Sequence, residues 1–81
     1  MINEIKIKEL RHKNDKLKLV LVCDYDALED IMLFFIAKHN IKPYYKLSNS
    51  NYELMALFDN ENDCIKFLIY AFDFQDFTDF L

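Results

Sequence analysis

The 81-residue chain contains no glycine and no tryptophan, one proline (Pro43) and two cysteines. The missing glycine excludes the most. Only glycine takes positive φ without steric cost, and backbone lacking it cannot curl closely around a phosphate. P-loops, dinucleotide-binding turns and nucleophile elbows all depend on such curling. A block of nucleotide-binding and hydrolase functions is thereby set aside. The two cysteines, Cys23 and Cys64, form no CxxC pair and lie inside apolar runs. Neither has ligand-like spacing to His12 or His39, so both read as small buried residues, and no metal or other cofactor is expected. No Ser/His/Asp grouping suggests a nucleophile. Long apolar runs are missing too. The longest uncharged one, Ile31 to Ala37, is far too short for a bilayer, and Lys6 and Lys8 interrupt any signal-peptide core. These absences point to a cytoplasmic protein without a membrane span.

What is present argues for a folded chain. Apolar residues make up 53% and aromatics 16%, above what a disordered segment carries. The length suits one domain, residues 1–81. A domain of this size buries only about 60–65% of its unfolded surface, so a dense aromatic core, an oligomeric interface or both are expected. Charge is uneven. Residues 1–22 carry a net +3 and residues 23–81 a net −7, within a total of −4. Such asymmetry bears on partners more than on fold.

Ile5 and Ile7 alternate with Lys6 and Lys8, and Leu17, Leu19, Leu21 and Cys23 alternate with Lys18, Val20 and Val22. Two half-buried strands follow. Placing Ile5 and Ile7 on the face of Leu19 and Leu21 requires an odd loop, of three or five residues, between them. Asp24 or Asp26 can cap a helix whose stripe is Leu28, Ile31, Met32, Phe35 and His39, with Asp26 and Glu29 placed as a capping box. Asn40 offers a left-handed end to this helix. Two further strands, Tyr44–Leu47 and Tyr52–Phe58, flank a turn at Ser48–Asn51. A four-residue loop there puts Tyr45 and Leu47 on the face of Leu54, Ala56 and Phe58. Residues 59–63 then cap a second helix with the stripe Cys64, Ile65, Leu68, Ile69 and Phe72. The expected architecture is α+β in the order ββαββα, a four-stranded, mainly antiparallel sheet with both helices on one face.

Two short motifs suggest chemistry. Leu19–Asp26, L-V-L-V-C-D-Y-D, resembles the first motif of haloacid-dehalogenase-type phosphatases, in which the first aspartate is the nucleophile beside Mg²⁺. On that resemblance Asp24 takes the role, but the family's next residue is replaced by Ala27 and its other motifs have no match. Asp59–Asp63 resembles the start of a calcium loop. Cys64 stands where that loop needs glycine, and Tyr70 where it needs glutamate. Helix capping accounts for both acidic runs.

Binding surfaces remain. On a helical wheel Phe67, Tyr70, Phe74, Phe77 and Leu81 form a ridge at spacings of 3, 4, 3 and 4, nearly opposite the second helix's core stripe. The ridge can pack on the first helix, pair with another chain, or belong to an acidic-aromatic docking tail. Val20, Val22, Tyr44, Met55 and Leu57 share the sheet face away from the helices, a second expected contact patch. Lys6, Lys8, Arg11, Lys13, Lys16 and Lys18 form a basic hairpin able to meet a phosphate backbone. The sequence therefore leads to a non-catalytic protein-interaction module. It is expected to act as a homodimer that regulates or inhibits a partner protein, in the manner of small phage or mobile-element factors. Nucleic-acid binding through the basic hairpin is the alternative.

Overall fold

The computed structural model describes residues 4–24 and 26–79, with side chains as far as Asp73. Its elements are β1 (Ile5–Lys13), β2 (Lys16–Cys23), α1 (Leu28–His39), β3 (Tyr44–Ser48), β4 (Glu53–Phe58) and α2 (Glu61–Asp79). The strands form one antiparallel sheet in the order β1-β2-β4-β3. Both helices lie on one face, as the ββαββα pattern requires. Ile5, Leu19, Leu21, Leu54, Ala56 and Phe58 meet Leu28, Ile31, Met32 and Phe35 of α1 and Cys64, Phe67 and Ala71 of α2 in one core. No helix among the described residues is long and apolar enough to cross a membrane.

The first hairpin solves its register differently from the expected odd loop. Lys13 faces Lys16 across a two-residue turn, Asn14-Asp15, with φ of 51° and 65°. Two successive positive φ values match the twist of the flanking strands, and Asn and Asp tolerate them best after glycine. An even loop alone would turn Ile5 and Ile7 to the wrong face. A β-bulge corrects this: the register shifts between Ile7 and Glu9, Lys8 is the extra residue, and Ile7 ends opposite Leu21. The odd residue sits inside the strand instead of in the turn.

The second hairpin keeps the expected faces, with Tyr45 opposite Ala56 and Leu47 opposite Leu54, but its four-residue loop is Asn49–Tyr52 instead of Ser48–Asn51, because Ser48 pairs with Glu53. Asn49, Ser50 and Asn51 all have positive φ there, and the Tyr52 N–H donates to the Asn49 carbonyl at 3.1 Å. Helix α1 ends as expected at left-handed Asn40 (φ 54°, ψ 34°), whose N–H donates to the Ile36 carbonyl at 2.9 Å. Its start differs. The N-cap is Ala27, with no side-chain cap bond, so the Asp26–Glu29 box does not form. Ala27 and Leu28 are buried against the core, which places the N-cap one residue past Asp26 and leaves Asp24 and Asp26 exposed. At α2 the cap is Asn60, whose Oδ1 accepts the Asp63 N–H at 2.9 Å.

The face that α2 buries is the main correction to the sequence reading. Cys64, Phe67 and Ala71 point inward, while Ile65 and Ile69 are 50% and 57% exposed and Leu68 and Phe72 half-buried. The helix is thus turned by roughly 100°, one residue step, from the expected stripe. Packing explains the choice. Small Cys64 and Ala71 on either side of Phe67 let α2 approach the sheet, and the Phe67 ring fills the space between Phe58 and Phe35.

Candidate functional site

The expected aromatic ridge begins inside the protein. Phe67 is fully buried, its ring 5.1 Å from Phe35 and 5.6 Å from Phe58. Tyr70 is half-buried against Phe35 (5.9 Å) and His39 (6.0 Å), and Lys38 Nζ lies 5.8 Å from its ring centre. For these two residues the ridge packs on its own first helix. Phe74 and Phe77 fall within α2, but their side chains lie outside the described residues, as does Leu81 altogether.

The open sheet face is less apolar than its sequence suggests. Val20 is only 5% exposed although no helix covers it, and Val22, Met55 and Leu57 are half-buried; Tyr44 stands out at 61%. Long charged side chains lie over this face. Lys8 Nζ bonds Glu53 Oε1 at 3.0 Å, joining β1 to β4 across the intervening β2. Those strands are about 10 Å apart, so the pair must pass above the valines. Glu9, opposite Val20, accepts from Arg11 Nε at 2.5 Å and pairs with Lys18 Nζ at 3.3 Å. The Arg11 and Lys18 hydrogen bonds, Arg11 first, hold the Glu9 carboxyl below its ordinary value of 4.5, so it is a carboxylate at neutral pH.

The same pairs occupy the basic hairpin. Lys6 is 3.9 Å from Glu4, Lys8 bonds Glu53, Arg11 and Lys18 share Glu9, and Lys16 bonds Asp59. Lys13 alone of the six carries no ion pair among the described residues. Exposed pairs of this kind contribute little to stability, but each reduces the charge offered to a phosphate backbone.

The surface that sequence reasoning missed is a groove of about 330 Å³ between β1 and α2, lined by Leu10, His12, Leu17, Cys64, Ile65 and Leu68 together with Arg11 and Glu61. Leu10 faces the helix side, opposite core residue Leu19, yet is 46% exposed because β1 is an edge strand. Ile65 and Leu68 overhang it from α2. The signal was present as the Ile65-Leu68-Ile69-Phe72 stripe, which the wheel assigned to the core. Burial pushes the Cys64 thiol above its ordinary 9.0, with Glu61 adding to the effect, so the groove holds a protonated thiol. Asp24 and Asp26 are distant in sequence from the groove and exposed in the loop before α1. No group of three or more His, Cys, Asp or Glu among the described residues is arranged to hold a metal ion.

No family model, no curated protein and no solved structure matches this chain.

Proposed function

We propose that this chain is a non-catalytic protein-interaction module, which acts as a homodimer and regulates or inhibits a partner protein. The observation that carries the reading is the apolar groove between β1 and α2. Leu10 and Ile65 are each about half exposed there, on a protein too small to spare apolar surface. Its concave form suits docking better than Leu33 and Phe34, which are exposed on α1 alone. Two buried thiols and no disulfide suit a reducing cytoplasm. Small size, net negative charge and a chain free of glycine fit the regulators of mobile elements by analogy of composition.

Solution mass by light scattering, over a wide concentration range, tests the dimer. A particle of twice the 9.8 kDa chain mass supports it. A monomer throughout overturns it. Binding to a mixed-sequence DNA duplex that weakens steeply with salt would favour the basic hairpin instead.

A further inference from the structure

We infer that two copies of this chain join edge to edge through β1, antiparallel, with Leu10 facing Leu10 on the two-fold axis. The inference rests on the homodimer reading and specifies its surface and register.

The backbone defines which residues can pair. The Cys23 N–H donates to the Tyr52 carbonyl at 3.0 Å, so Cys23 turns its peptide groups toward β4. Alternation along β2 gives Leu21, Leu19 and Leu17 the same orientation. Their β1 partners Ile7, Leu10 and His12 therefore turn their N–H and C=O groups outward, and among the described residues no strand lies beyond β1 in the sheet order. An added strand must bond to these residues.

Charge then selects the register. Symmetric antiparallel pairing centred on Arg11 sets Arg11 against itself. Centring on His12 sets Arg11 against Lys13, and centring on Ile7 sets Lys6 against the bulge residue Lys8. Each brings like charges together, which destabilises a strand pair. Centring on Leu10 sets Glu9 of each copy against Arg11 of the other. Within one chain Glu9 and Arg11 already touch at 2.5 Å on the open face. The two-fold axis extends that contact into a ring of four alternating charges. On the helix side the same axis brings together both copies of Leu10, with Ile65 and Leu68 flanking them, and covers the groove. A C2 interface needs a patch complementary to itself, and among these registers only this one supplies it.

Glu9→Lys and Arg11→Glu, prepared separately and then mixed, provide the test, read by sedimentation. Each variant alone sets like charges opposite each other twice and is expected to weaken the dimer by roughly tenfold or more. In the mixture the Glu9→Lys chain meets the Arg11→Glu chain with opposite charges at both places, so a mixed dimer forms. Leu10→Cys adds an independent reading. Directly paired strand residues have Cα atoms about 5.5 Å apart, within disulfide range, so mild oxidation gives a covalent dimer that the unaltered chain does not. A monomeric unaltered chain sinks both the dimer and its register. A dimer that ignores the charge swaps, with no cross-link through Leu10→Cys, keeps the dimer and overturns the register proposed here.

Discussion

The ring of Phe67 in α2 meets that of Phe35 in α1 edge to face, with centroids 5.1 Å apart and planes at 80°. Edge-to-face packing aligns the positive rim of one ring with the negative face of the other, worth about 0.5–1.5 kcal/mol for the pair beyond the area buried. Both rings are fully buried. Phe67→Ala should therefore cost about 3–5 kcal/mol, a large part of the stability of so small a domain. Ile69→Ser, on the exposed side of the same helix, should change stability by less than about 0.5 kcal/mol. Urea denaturation followed by circular dichroism compares the two. Equal losses would contradict the orientation of α2.

Left-handed positions give a second contrast. Among the described residues, the six with positive φ are all Asn, Asp or Ser, in a chain without glycine. Asn40 ends α1 in this conformation, so Asn40→Ala should cost about 1–2 kcal/mol, whereas Asn40→Gly should be neutral or stabilising. Thermal melts of both variants check this.

Capping separates the two helix starts. Asn60→Ala removes the acceptor of the Asp63 N–H and should cost about 1 kcal/mol. Asp26→Ala should stay within about 0.5 kcal/mol, because Ala27 holds the N-cap position of α1 without a side-chain bond. A larger loss at Asp26 than at Asn60, measured by denaturant titration, would reverse this assignment.

The bulge can be deleted outright. Removing Lys8, the extra residue, leaves a regular alternation in which Ile7 still faces Leu21 and Ile5 still faces Cys23 on the core side. Only the exposed Lys8–Glu53 pair is lost, so stability should change by less than about 1 kcal/mol. A much larger loss in urea denaturation would contradict the placement of the bulge.

Acid should act through Glu9. Its carboxyl is held below the usual range by Arg11 and then Lys18, so the folded state favours the charged form. That contribution is complete above about pH 4.5, the ordinary glutamate value, and fades as pH falls through the lower folded value. The melting temperature of Glu9→Gln should therefore differ from that of the unaltered chain at neutral pH and converge with it in acid. A gap that persists at pH 2 would assign the effect to something other than ionisation.

Most of the architecture is legible in the residues, because period-two alternation in Ile5–Cys23 and Tyr44–Phe58 admits few pairings. Parity was also informative. It required one odd residue between Ile7 and Leu21, and the structure supplies it as Lys8 in the strand. Periodicity cannot distinguish a bulge from a longer turn, since both change the count by one. The second helix was harder. Residues 64–72 are apolar on two sides, and the larger aliphatic set, Ile65, Leu68, Ile69 and Phe72, looked like the core. Shape decided otherwise, through the small residues beside Phe67. The groove depends on where that helix lies over β1, a relationship between residues more than fifty positions apart. No local pattern encodes it.

Lys8 and Glu53 belong to strands that are not neighbours, and their pair works as a strap laid across β2. At 1 M sodium chloride the reach of exposed charges shrinks to about 3 Å, and the strap slackens. Sulfate, excluded from the surface, tightens the apolar packing beneath the helices. The sheet is thus a partition, with ionic strength acting on one side and water activity on the other.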